Sequence, residues 1–138
     1  MTWLHWALLS ALFAGLTAVL AKVGVKDVDA NLATAIRTTV ILVFAWLIAL
    51  IGNAPSLATV PRKAWLFLVL SALATGASWL CYFRALQLGE ASRVAPIDKL
   101  SVVVAMVLAV VFLHEPLTWR HWVGGGLIVC GAVLLAHV

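Results

Sequence analysis

Apolar residues run along this chain in long blocks instead of alternating with polar residues. Five blocks of about twenty residues carry almost no charge, and short segments rich in charge, glycine or proline separate them. A helix of that length measures about 30 Å at ~1.5 Å per residue, which matches the hydrocarbon core of a bilayer. The pattern therefore predicts an all-α, polytopic membrane protein, a bundle of five transmembrane helices in a single domain of residues 1–138. The predicted spans are residues 3–21, 32–52, 64–83, 96–113 and 119–137.

Composition supports a membrane protein and narrows its partners. Hydrophobic residues make up 65% of the chain and charged residues 10%, whereas soluble domains average roughly 45–50% and about 25%. A water-soluble fold could not cover so much apolar surface. No Lys- or Arg-rich run is interleaved with aromatic residues, so membrane lipid is an expected partner and nucleic acid is not. The net charge of +4 bears on orientation and on contact with anionic lipid.

The second predicted span contains one cation, Arg37, about one and a half turns after its start. A cation at the bilayer centre costs on the order of 2.5–3.5 kcal/mol, and residues 38–52 alone would span only ~22 Å. Arg37 therefore belongs to the span. Its long side chain can extend to the membrane surface, or it can face an internal polar cavity. Asp29 or Asn31 is expected to cap this helix.

Aromatic residues near the end of the third predicted span offer a second candidate feature. Trp79 and Tyr82 are three residues apart and share a helix face. One interpretation is anchoring at the membrane interface. The other is an aromatic wall for an amphipathic or cationic substrate.

The fourth predicted span brings opposite charges to the mouth of a helix. Residues 84–93 are expected to form a loop, and Pro96 fits the first turn of the helix that follows. Asp98 would then lie near the positive end of the helix dipole, beside Lys99. The two residues either anchor the helix at the interface or line a transport pathway. Asp98 is the stronger pathway candidate, because its short side chain cannot extend to water as that of Lys99 can.

Small residues mark the fifth predicted span as a packing surface. Its glycines include Gly124, Gly126 and Gly131. Gly124 and Gly131 are seven residues apart on one side of the helix. Glycine allows another helix to approach closely, so these residues are candidates for helix packing or a dimer contact.

Several short motifs, taken in order, resemble the drug/metabolite transporter superfamily, specifically its EamA-type domain. They are Phe-Arg-Ala-Leu-Gln-Leu-Gly at 83–89 with Ala91, Ser92 and Pro96, Leu-His-Glu-Pro-Leu-Thr at 113–118, and the glycine-rich close at 124–131. The resemblance covers nearly the whole chain. It implies a transporter of the kind built from two five-helix repeats in inverted orientation, of which this sequence shows one.

The resemblance also implies an assembly. Inverted-repeat transporters bind substrate near the midplane, at the repeat interface, so one repeat is expected to work as a homodimer or as a heterodimer with a similar half-size protein. A small molecule would pass through a cavity with Arg37, Asp98 and Lys99 as polar contacts. The alternative is a non-transporting scaffold or accessory subunit that uses the glycine face to bind a partner. No catalytic motif, metal-ligand cluster or cofactor motif is present, so no enzyme activity, metal or cofactor is expected.

Loop charges bear on orientation in the inner (plasma) membrane. The loops on one side carry three cations and those on the other side carry four, which favours N-out and C-in under the positive-inside rule. So small a difference also permits insertion in both orientations, as an antiparallel homodimer requires. The first set is Arg62, Lys63 and Arg120, and the second is Lys22, Lys26, Arg84 and Arg93, joined near the membrane boundary by Arg37 and Lys99.

Overall fold

The computed structural model describes residues 2–52, 54 and 56–137, and this part of the chain is all-α. Its apolar blocks are rich in Leu, Ala, Val and Ile, so long helices form there, and glycine or proline lies in most of the segments between them. The helices are α1 (Trp3–Gly24), α2 (Ala30–Ile51), α3 (Arg62–Leu88), α4 (Ala91–Asp98), α5 (Ser101–Leu113) and α6 (Trp119–Ala136), with a 3₁₀ turn at Leu57–Thr59.

Five helical segments in the described part of the chain are long and apolar enough to cross a membrane, if α4 and α5 are taken together as one segment, Ala91–Leu113. The protein is thus a multi-pass membrane protein with five spans. Large apolar side chains are exposed along every span, as expected of helices whose outer faces contact lipid. Four spans are longer than predicted, and the third and fourth differ most, because α3 continues to Leu88 and α4 begins at Ala91. The loop predicted for residues 84–93 is therefore wrong over most of its length.

The prediction that Pro96 opens the fourth helix is also wrong, since Pro96 lies inside α4 and Asp98 is the last residue of that helix. Asp98 therefore lies at the C-terminal end of α4, two residues before Leu100, the N-cap of α5. Proline lacks an N–H, which removes one hydrogen bond of the helix. The helix ends two residues later with short-range bonds from Lys99 N to Pro96 O (3.1 Å) and from Leu100 N to Ile97 O (3.0 Å). The fourth span is therefore discontinuous between α4 and α5.

The chain forms two compact units, here named for their place in the sequence. The central unit is Gly24–Gln87, and the flanking unit is Met1–Val23 with Leu88–Val138. In the flanking unit, α6 packs against α4 and α5. Gly125 is buried there, and a methyl group added to it would lie 3.4 Å from Met106 Cε. Lys22 Nζ also donates a hydrogen bond to the carbonyl oxygen of Gly89 (2.8 Å).

The core of the central unit includes residues from the segment before α2, the first turns of α2 and the last turns of α3. Its buried residues are Val25, Ala30, Thr34, Phe83 and Leu86. Asp29 caps α2, because its carboxylate accepts hydrogen bonds from the N–H groups of Asn31 (2.9 Å) and Leu32 (3.1 Å). Of the two predicted caps, Asp29 thus fills the role.

A glutamine side chain fixes the segment that precedes α2. Gln87 Nε2 donates to the carbonyl oxygens of Val28 (2.6 Å) and Val25 (3.3 Å). Gln87 Oε1 accepts from Arg84 NH1 at 3.1 Å. The last turn of α3 therefore donates hydrogen bonds to two carbonyl groups that lie between α1 and α2 and outside both helices.

Candidate functional site

Arg37 lies against two aromatic rings of α3 in the central unit. Its guanidinium carbon is 4.5 Å from the centre of the Trp79 ring and 5.3 Å from the centre of the Phe83 ring. Trp79 and Phe83 are four residues apart, so their side chains stack on one face of α3. Such contacts are attractive because the cation meets the negative face of the ring. Among the described residues of this unit, no carboxylate lies within ion-pair distance of Arg37.

A groove of about 420 Å³ runs between α2 and α3 from the Trp79 ring. We call it the α2–α3 groove. Most of its lining is apolar, and three hydroxyl groups interrupt it. Two of these already donate to backbone carbonyls one turn earlier: Thr38 to Thr34 (2.8 Å) and Thr75 to Ser71 (2.9 Å). The lining residues are Thr38, Ile41, Leu42, Ala45, Leu68, Ser71, Ala72, Thr75, Gly76 and Trp79.

Tyr82 is half-buried beside the cluster and is not among the residues that line the groove. Its ring centre lies 6.4 Å from that of Phe83, at an interplanar angle of 41°. Tyr82 therefore extends the aromatic surface of α3, whereas Phe83 contacts the cation. Phe83 was not predicted as a site residue, although its spacing of four from Trp79 could have indicated a shared face.

Asp98 and Lys99 lie together in the flanking unit, at the interruption of the fourth span. Lys99 Nζ is 3.3 Å from Asp98 Oδ2. The Asp98 side chain is 36% exposed, compared with 72% for Glu90, which pairs with Arg93 at 3.5 Å. Asp98 is thus the more enclosed of these two paired carboxylates. The structure brings Asp98 to Lys99, while Arg37 belongs to the other unit.

The glycines of α6 are of two kinds. Gly125 is buried against α5, whereas a methyl group at Gly124, Gly126 or Gly131 would meet no neighbouring side chain or helix within 4 Å in the described part of the chain. These three positions thus leave room beside α6. Their role in a dimer stays a prediction.

The profile of the EamA-like transporter family matches residues 1–136. The chain belongs to this family. A protein of Sinorhizobium sp. named "Uncharacterized transporter in cobO 3'region" is 55% identical over 136 residues, which cover 98% of this chain and 96% of the relative. The family assignment predicted from the motifs is therefore confirmed, and the chain is a transporter-family membrane protein.

More distant relatives of this EamA-like chain carry a more specific name, "Probable 4-amino-4-deoxy-L-arabinose-phosphoundecaprenol flippase subunit ArnE". The protein from Aeromonas salmonicida (strain A449) is 30% identical over 69 residues, covering 50% of this chain and 60% of the relative. That from Aeromonas hydrophila is 32% identical over 74 residues, covering 54% and 63%. No solved structure matches.

Proposed function

We propose that this protein is half of a transporter that moves a small metabolite or drug-like solute across the inner membrane as an antiparallel dimer. The observation that carries the proposal is the family match over residues 1–136, which coincides with the five spans. A single five-span unit enters and leaves the membrane on opposite sides. A second unit in the opposite orientation would supply the other wall of a midplane site, as inverted repeats do.

The substrate pathway in this proposal includes Arg37, Trp79 and Tyr82 of the central unit and Asp98 and Lys99 of the flanking unit. Charged residues within spans are costly, and they commonly mark substrate or ion paths. Discontinuous helices carry the substrate sites of many transporters. The interruption of the fourth span next to Asp98 therefore supports a place for this carboxylate in the pathway.

Cysteine chemistry tests both the pairing and the orientation. Cys130 and Cys81 are exposed on α6 and α3 respectively. Cys130 is four residues from Gly126, on the same face of α6. With Cys130 as the sole cysteine, cross-linking in native membranes should give a dimer. With Cys81 as the sole cysteine, it should give much less dimer.

Orientation requires a third variant, Ala58→Cys in a chain without Cys81 and Cys130, because Ala58 lies in an exposed turn between spans. A membrane-impermeant thiol reagent should label about half of the molecules in intact cells if both orientations insert. Labelling of all or none, together with the absence of any dimer, would contradict the antiparallel homodimer. A heterodimer would instead require a half-size partner in the opposite orientation.

The second candidate function is a subunit that does not transport by itself. It is favoured by one observation: the Aeromonas relatives are named as flippase subunits. Purification from native membranes separates the two proposals. A stable complex with an unrelated membrane protein, and no solute movement by the isolated protein in liposomes, would support the accessory role.

A further inference from the structure

We infer that the α2–α3 groove binds an anionic lipid, with Arg37 at the headgroup. Binding of this ligand does not depend on the proposed transport function. Only the further step, that the bound ligand is the transported substrate, rests on that function. The groove itself is described entirely by residues of the central unit.

The shape of the groove fits an extended apolar chain. Along α3 it reaches from Trp79 to Leu68, about 16 Å at ~1.5 Å per residue, and along α2 from Thr38 to Ala45. Its wall is mainly aliphatic, and large apolar side chains are exposed on both helices around it. A ligand chain could therefore enter sideways from the bilayer without crossing a polar barrier.

The charge beside one end of the groove fits an anion, because Arg37 contacts Trp79, which lines that end. The guanidinium group of Arg37 lies over aromatic rings, a contact that does not use its N–H groups as hydrogen-bond donors. Among the described residues of this unit, no carboxylate lies within ion-pair distance of those groups. Arginine binds phosphate and carboxylate oxygens through two parallel N–H bonds. The cation also occupies the ring face that a cationic substrate would need, so the site disfavours cations.

The depth of Arg37 places its charge inside one leaflet of the bilayer. Arg37 is seven residues after Ala30, the first residue of α2, which is about 10 Å along the helix axis. Half of the hydrocarbon core is about 15 Å thick, so the Arg37 backbone lies within one leaflet, and the long side chain can extend toward the membrane boundary. Both walls of the groove then run from Arg37 toward the bilayer interior. This is the orientation of a lipid whose charged end is drawn inward from the boundary, toward Arg37.

The test uses purified protein in dodecyl maltoside and dodecyl phosphate as the probe, because the two amphiphiles share a chain and differ in headgroup charge. Titration should give saturable binding of dodecyl phosphate and a rise in the unfolding temperature. Inorganic phosphate and dodecyltrimethylammonium should give neither at the same concentrations. Equal binding of inorganic phosphate would overturn the lipid assignment, and equal binding of the cationic amphiphile would overturn the anion site.

Two variants address the two ends of the site. Arg37→Gln removes the charge and should weaken dodecyl phosphate binding by at least about tenfold, the effect of losing one charged hydrogen bond. Gly76→Leu fills the groove beside Trp79, where an added methyl group meets nothing within 4 Å. It should weaken binding by a similar factor. Leucine favours a helix more than glycine does, so the unliganded unfolding temperature of this variant should not fall.

Matched controls make the same changes elsewhere. Arg62→Gln replaces an exposed cation at the start of α3, and Gly15→Leu fills open space beside α1. Both should bind dodecyl phosphate as the parent does. Equal binding by the parent and by Arg37→Gln, or equal losses in the controls, would overturn the inference.

Transport in liposomes is measured separately, so that the two proposals fail in different ways. If the protein binds dodecyl phosphate through Arg37 but moves no anionic lipid between leaflets, the binding site is supported and its role in transport is contradicted. Movement of another solute by a protein that does not bind dodecyl phosphate would contradict the site alone.

Discussion

Gln87 Nε2 lies 2.6 Å from the carbonyl oxygen of Val28 and so joins the last turn of α3 to the segment that precedes α2. The same nitrogen reaches Val25 O at 3.3 Å, and the Val25 side chain is almost fully buried. One side chain thus satisfies two carbonyls 59 and 62 residues away in sequence. This contact closes the end of the central unit where its buried residues are concentrated.

We predict that Gln87→Leu destabilises the protein by about 1–3 kcal/mol, the usual cost of leaving a buried polar group without a partner. Leucine has a similar size but no donor, so the loss reports the hydrogen bonds and not a cavity. Thermal unfolding in detergent gives the free-energy change. Hydrogen exchange should rise locally at residues 25–29.

Arg84→Gln is the control for this prediction. It removes the donor to Gln87 Oε1 and leaves the two bonds from Gln87 Nε2 in place. Its effect on stability should be well below that of Gln87→Leu, because the Arg84 contact is exposed. Unchanged exchange at residues 25–29 in Gln87→Leu would contradict the anchoring role.

Asp29→Ala should cost ~1 kcal/mol, the typical value for an N-cap. The carboxylate of Asp29 accepts from two N–H groups at the start of α2, and alanine would leave both without that partner. Asp29→Asn should retain most of the stability, since the amide oxygen can also accept. Asn31→Ala tests the other residue that the sequence offered as a cap, and it should have little effect on the unfolding temperature.

The spans were predictable from the sequence because transfer from water to lipid dominates their energetics. About twenty apolar residues in a row have few alternatives to a membrane helix. The boundaries depend on smaller energies and were predicted less well. Proline at residue 96 was placed at a helix start, the position that costs least. The structure instead has it inside α4, near the interruption after Asp98.

The candidate site was less predictable because contacts between helices depend on rotation about each axis. The sequence marked Arg37 and Trp79 as candidates, but it did not indicate that one side chain lies on the other. In the sequence Phe83 and Gln87 stand out only as parts of a family motif, although both make contacts between distant segments. Their roles arise from packing between segments. Helical periodicity shows which residues share a face, but it does not show which segment packs against that face.

Glycines on α6 should respond differently to enlargement. Gly125→Leu should destabilise the fold by about 1–3 kcal/mol, the range for overpacking, because Met106 and Val103 lie within 4 Å of an added methyl group. Gly126→Leu should not lower the unfolding temperature, since no neighbour lies within 4 Å and leucine favours a helix more than glycine does. If α6 forms the dimer contact, Gly126→Leu should abolish cross-linking through Cys130. A cross-linked dimer that persists in this variant would place the contact elsewhere.

Asp98→Asn should lower transport by at least about tenfold while folded protein remains abundant. The substitution keeps the shape of the side chain and removes its charge, so a transport step that depends on this carboxylate would lose one charged hydrogen bond. The assay is uptake into proteoliposomes of a solute first identified by screening metabolites and drug-like compounds. Glu90→Gln is the matched control in the same unit. Its carboxylate is 72% exposed in a pair with Arg93, and exposed pairs of this kind contribute little. Full activity in Asp98→Asn, or an equal loss in both variants, would exclude a specific role for Asp98 in the pathway.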